Sequence, residues 1–171
     1  VVADIDPDLE GEDETGSADV EERNLLARTA AGRADLVLAV GTPSMKGLHD
    51  LLGVVADLVA FGVEPERILP VLNRSGRPGR ARAEITAALG ELLTPISAAL
   101  PSPLHIPERR RLDDAIRDNV PLPASMAQTL SSAATAMLDH TGPRVVPASP
   151  APVAVAPGTL GHFDDPEGEV A

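Results

Sequence analysis

A chain of 171 residues with 43% hydrophobic side chains and a formal charge of -12 can bury one domain-sized core and still carry a tail. The acidic balance, the lack of a Lys/Arg stripe and the presence of only two aromatics, Phe61 and Phe163, argue against direct DNA binding and leave no platform on which bases could stack. With no cysteine, disulfides, thiolate metal sites and cysteine nucleophiles are excluded, as a reducing cytoplasm would allow. No apolar run reaches the roughly 18 residues of a membrane span and no signal-peptide pattern opens the chain, so a cytoplasmic protein that stays off the membrane is expected.

Four β-rich runs recur along the chain: Val1 to Ile5, Leu36 to Val40, Ile68 to Leu72, and Leu104 to Ile106. Each gap holds a helix and two loops, the spacing of crossovers in a parallel sheet, so the expected fold class is α/β. Val1 already stands inside a strand pattern, and that start reads as a cut. In the first gap, Asp19 and Glu22 form a capping box, after which Leu25, Leu26, Thr29 and Ala30 make one helical face. In the second, Leu48, Leu51, Leu52, Val55, Leu58 and Val59 follow helical periodicity, with Ser44 as cap and Gly62 as stop. A third helix is predicted from about Gly79 to Leu93, burying Ile85, Ala88, Leu89 and Leu92, and Pro95 ends it. A short helix after Pro107 takes in Leu112, Ala115 and Ile116. The last helix spans roughly Ala124 to Asp139, with Met126, Leu130, Ala133, Met137 and Leu138 inward. From Gly142 onward frequent prolines and an acidic end leave too little apolar surface to bury. The division is therefore a domain at 1–141 and a Pro/Ala-rich, acidic, disordered tail at 142–171.

Open parallel sheets bind ligands beyond the carboxyl ends of their strands, which directs attention to Asp4 and Asp6, Gly41-Thr42-Pro43, Asn73-Arg74 and Pro107. An acid ending an apolar strand can hold a water of a magnesium ion, and the Asn73 amide can both donate to and accept from a base edge. The bland alternatives are a loop-capping carboxylate at Asp4 and a turn residue at Asn73.

VVADIDPDLEGEDETG, then DVEERNLLARTAAGRADLVLAVGTPSMKGLHDLL, then GVEPERILPVLNRS and LHIPERRRLDDA together resemble the later part of the MinD/ParA-type P-loop ATPases, especially the MinD-like proteins of actinobacteria. The resemblance covers residues 1 to about 120 and rests on the order and spacing of these stretches. It implies a partial Rossmann-like, three-layer P-loop fold with parallel strands flanked by helices, ATP and magnesium as cofactors, and a nucleotide-dependent homodimer that positions a cargo, such as a chromosome, in the cell. By position, Asp4 resembles the Walker B acid that holds the magnesium shell, with Asp6 beside it. Gly41, Thr42 and Pro43 resemble the strand-end loop next to the active site, Asn73 and Arg74 the pair at the adenine pocket, and Ile106 to Glu108 the loop closing over the base.

The family's phosphate-cradling loop is not among the 171 residues. GTPSMKG has a glycine and a lysine but not the GxxxxGK[ST] order, so this segment by itself is expected to be inactive. The basic amphipathic helix with which many relatives dock on membranes is replaced by an acidic, proline-broken tail.

Other constellations point elsewhere with less force. The acids from Asp6 to Glu14 place Gly11 where a calcium loop wants glycine, but Ser17 falls where its bidentate Glu belongs. They read instead as a nucleotide-responsive switch loop or as a solvated loop. Arg109, Arg110 and Arg111 near a helix start suit an anionic partner, or are neutralised by Glu108, Asp113 and Asp114. The four histidines are scattered, without metal-ligand spacing. Gly41 to Met45 does not satisfy GxSxG. A non-hydrolysing interaction scaffold of the same fold is the competing function. A phosphorylatable receiver lacks its mid-chain Asp and its late Lys.

Overall fold

The computed structural model describes residues 1–109, 112–121 and 124–143. Arg110, Arg111, the side chains of Asp113, Ile116 and Met126, and the tail from 144 on lie outside the described residues.

Three strands, β1 (Val37–Gly41), β2 (Ile68–Ser75) and β3 (Leu104–Pro107), form one parallel sheet in the order β1-β2-β3. β2 is central and buried on both faces. Ile68 and Leu72 point to one side and Leu69 and Val71 to the other, the period-2 alternation of a covered strand. Pro70 interrupts this strand at little cost, because it lies ahead of Val71–Leu104, where pairing with β3 begins.

Helices cover both faces. Besides a single acidic turn, α1 (Glu12–Thr15), the chain forms α2 (Ala18–Arg33), α3 (Met45–Ala60), α4 (Gly79–Leu93), α5 (Leu112–Arg117) and α6 (Ala124–Thr141). Leu51, Val55 and Leu58 of α3 and Leu89 and Leu93 of α4 join Ala27 and Ala31 of α2, Ile68 and Leu72 in the larger core. Leu130, Ala133 and Met137 of α6 pack against Leu69, Val71 and Ile106 on the opposite face. α3 follows its sequence most closely. Ser44 accepts from the Gly47 N–H at 3.0 Å, the side-chain cap that Ser supplies well. At the other end Gly62, at φ 98°, lets Val63 N–H reach the Leu58 carbonyl at 3.0 Å and Gly62 N–H the Val59 carbonyl, a Schellman closure that only a residue without Cβ enters cheaply.

Five expectations are corrected. Val1 to Ile5 forms no strand; its Asp4 and Ile5 line a cleft together with β1, while Val1 and Val2 are fully exposed, and a β-prone sequence stays unpaired without a neighbour at ladder distance. α2 starts at Ala18 after Ser17, without a side-chain cap, so the Asp19–Glu22 capping box does not form. Its buried stripe is Asn24, Ala27 and Ala31, while Leu25 and Leu26 are exposed. In α4, Leu89 is buried and Ile85 packs against the core as expected, but Ala88 and Leu92 face outward and Leu93 is buried in their place. In α6, Leu138 is exposed.

At the amino-terminal edge of the sheet the buried Arg67 ties three elements together. Its guanidinium donates to Asp35 O at 3.1 Å, Gly142 O at 3.0 Å and Thr141 O at 3.4 Å, and pairs with Glu64. The end of α6 is thereby fastened to the start of β1 and β2. Replacing Arg67 by Met keeps most of the volume but leaves these carbonyls without their donor. The expected outcome is a loss of about 2–4 kcal/mol in urea unfolding, together with faster amide exchange at the last turn of α6.

Candidate functional site

All three strands run the same way, so their carboxyl ends meet at one edge. Gly41 ends β1 and pairs in register with Leu72; Asn73 and Arg74 follow Leu72, and Pro107 ends β3 opposite Ser75. Asp4 and Asp6 reach the same end from the extended amino-terminal segment. With Gly41, Thr42, Gly47 and Asp50 they line an open cleft of about 460 Å³, whose floor is formed by Ile5, Leu9, Leu38, Leu51, Val54 and Leu58. Asp4, Asp6 and Thr42 are thus brought together. Asn73, Arg74 and Pro107 stand one and two strands further along the edge and do not line this cleft. Pro43 is half-buried beside Thr42 and does not line it either.

The Thr42 loop is seated by close packing. Thr42 Oγ1 lies 3.2 Å from the Ser44 hydroxyl, and the first turn of α3 passes so near that a Cβ on Gly47 would stand 2.1 Å from Thr42 Oγ1 and 2.6 Å from its carbonyl oxygen. Glycine is required here for approach, with backbone on one side of the contact.

The acidic loop is fixed from beneath. Leu9 enters the core, the buried Asn24 donates from Nδ2 to Glu10 O at 3.0 Å, and Arg28 donates to Leu9 O while lying over the Phe61 ring at 5.0 Å. The Gly11 N–H donates to Glu14 Oε2 at 2.7 Å, and that backbone bond holds the Glu14 carboxyl below its ordinary value. The side chains of Asp6, Asp8 and Glu10 project outward. Among the described residues no three His, Cys, Asp or Glu side chains group as a metal cage. Among the same residues neither Asp4 nor Asp6 is paired with a cation. An exposed carboxylate at a cleft mouth suits magnesium held through water, an ion that keeps most of its waters.

At the other part of the edge, two residues of β2, Asn73 and Arg74, bulge between the Leu72–His105 and Ser75–Pro107 pairs. Arg74 takes φ 57°, a left-handed conformation that non-glycine residues seldom adopt. Its N–H donates to Asn73 Oδ1 at 2.8 Å, so part of the Asn73 amide closes the bulge and its NH₂ remains for other partners. Behind the bulge lies a polar chain that the sequence reading missed. Ser75 Oγ sits 2.9 Å from His105 Nδ1, and His105 Nε2 sits 2.8 Å from Thr86 Oγ1 on α4. This is not a nucleophile–base pair. Ser75 is fully buried and gives its proton to Leu72 O at 2.9 Å. Only residues from three separate elements brought together could reveal it, and no local motif marks them.

Arg109 donates to Ser125 Oγ at 2.8 Å, so one member of the arginine cluster is spent between β3 and α6. No helix among the described residues is long and apolar enough to cross a membrane.

No protein-family model, curated protein or solved structure matches the chain.

The Gly47 contact is the most directly testable element of this geometry. Gly47→Ala is expected to push the Thr42 loop off α3 and cost about 1–3 kcal/mol. Thermal unfolding, with amide shifts confined to residues 41–48, checks it.

Proposed function

We propose that the chain is the C-terminal portion of a MinD/ParA-like P-loop ATPase, one that uses ATP binding and hydrolysis to switch a homodimer and position a chromosome or another cargo. The observation that carries the reading is the cleft beside β1. A parallel sheet collects its loops at one edge, and there two carboxylates face a glycine–threonine loop across an apolar slot. The outer edge of β1 pairs with no strand among the described residues, so the slot is bounded by unpaired backbone on one side and by Asp4–Pro7 on the other. A strand bearing a glycine-rich, lysine-containing loop suits it, since its backbone would pair with β1 and its cation would meet Asp4 and Asp6.

In this reading Asp4 holds magnesium through a water, and the ion when bound neutralises phosphate charge. Asp6 shapes the surrounding solvent. Thr42 and Pro43 border the phosphates, the Asn73 NH₂ contacts the adenine edge, and Arg74 and Pro107 flank the base. Phosphoryl transfer depends on positioning and charge stabilisation, and these residues supply one wall of such a pocket. The 171-residue chain alone is therefore expected not to hydrolyse ATP.

The test is magnesium-dependent ATP binding and turnover, measured on this chain and on the product of its full reading frame. The full product is expected to bind ATP, with Asp4→Ala abolishing magnesium-dependent turnover and Asn73→Ala erasing the preference for adenine over guanine nucleotides. A full product that binds no nucleotide overturns the ATPase. The reading then passes to a non-hydrolysing scaffold of the same fold, which the outward-facing acids of the Asp6–Glu10 loop favour as a docking surface.

A further inference from the structure

The Ser75–His105–Thr86 chain does more than fill space, because of what it spans. The bulge at Asn73 and Arg74 has Leu72 and Ser75 as its neck, and the Ser75 hydroxyl closes that neck by donating to Leu72 O. Ser75 Oγ in turn accepts from His105 Nδ1–H, which assigns the ring proton to Nδ1 and leaves Nε2 to accept from Thr86 Oγ1–H. Past the bulge, Glu108 N–H donates to Ser75 O at 3.0 Å, so the loop after β3 hangs on the same residue. One imidazole therefore links the central strand, its neighbour and α4 at the point where the candidate base-binding residues leave the sheet.

The bonds suit the neutral ring. A proton added from solvent to Nε2 would oblige Thr86 to turn its hydroxyl from donor to acceptor. It would also place a cation in a half-buried site facing Arg82, one turn before Thr86 on α4. Both effects, desolvation first and Arg82 second, hold His105 below its ordinary value. The other charges on these elements do not offset Arg82. Arg80 is engaged with Glu84 in an exposed pair at 2.9 Å, Glu91 lies more than a turn beyond Thr86, β2 contributes the exposed Arg74, and β3 is followed by Glu108 and by Arg109 on Ser125.

We propose that His105 is a proton-sensitive positioning residue. Its neutral ring, bonded to Ser75 and Thr86, holds the Asn73–Arg74 bulge and the Pro107–Glu108 loop in place, and protonation loosens both. The clamp stands on the geometry alone; its consequence for nucleotide recognition rests on the ATPase reading. Because the folded protein prefers the neutral form, the stabilisation is complete above the ordinary histidine value of 6.5 and is lost as pH falls from there towards the lower folded value.

Amide exchange and histidine titration by NMR on the 171-residue chain, between about pH 7.5 and about pH 5.5, test the clamp without nucleotide. After correction for intrinsic rates, the Glu108 amide is expected to lose protection several-fold with the midpoint of the His105 ring signals, while the Val55 amide in α3 keeps its own. His105→Gln should abolish that pH dependence. Thr86→Val, which removes one of the two bonds that seat the neutral ring, should lower Glu108 protection already at about pH 7.5. Glu108 protection that stays flat while His105 titrates, or that is unaffected by Thr86→Val, overturns the proposal. In the full-frame product, adenine selectivity should follow the same midpoint. Selectivity that is absent at every pH while Glu108 protection still follows His105 would fault the adenine reading alone.

Discussion

Parallel pairing around β2 is the constraint from which the other features follow. A strand covered on both faces must be apolar at nearly every position, and Ile68 to Leu72 meets that demand with no exposed side chain. Since neighbours in such a sheet share one direction, every connection crosses back over a face as a helix, and every strand delivers its following residues to the same rim. Thr42, Asn73 and Pro107 are neighbours along that rim for this reason, and no specific attraction among them is needed.

The two rims of the sheet are secured differently. At the amino-terminal rim a permanent cation, Arg67, gathers three carbonyls from two distant stretches of chain, and its charge does not change over any physiological range. At the carboxyl rim the fastening is a neutral imidazole between two hydroxyls, whose state depends on protons. The first joint is indifferent to pH, whereas the second sits where the strand-end loops leave the sheet. The positive φ of Arg74 belongs with the second, because a strained residue persists only where its surroundings determine it from several sides.

Much of this was legible in the sequence where local rules dominate. Ser44 and Gly62 bracket α3 because capping and left-handed closure depend on a few adjacent residues, and three of the four β-rich runs became strands because helices covered them. Val1 to Ile5 failed for a tertiary reason, since a strand exists only with a partner. Leu25 and Leu26 misled because hydrophobicity at helical spacing shows that a helix has an apolar face but not which element, if any, lies against it; the small Ala27 and Ala31 proved to be the close-packed side. The candidate site was legible as a set of strand-end residues. The division of that set, with Asp4, Asp6 and Thr42 around one cleft and Asn73, Arg74 and Pro107 beyond it, depends on strand spacing that no sequence pattern carries. His105 was passed over for the same reason, its partners lying 30 and 19 residues away.

The unpaired side of β1 has a practical consequence for anyone handling the polypeptide. Leu38 and Val40 are 42% and 60% exposed on that strand, next to a row of amide and carbonyl groups that pair with no strand among the described residues. Such a margin can be satisfied by a second molecule as readily as by a cognate strand, and mutual repulsion between chains of charge -12 is the main force that opposes it. Concentrated salt weakens that repulsion and strengthens apolar contact, the conditions under which strand pairing between chains is least opposed.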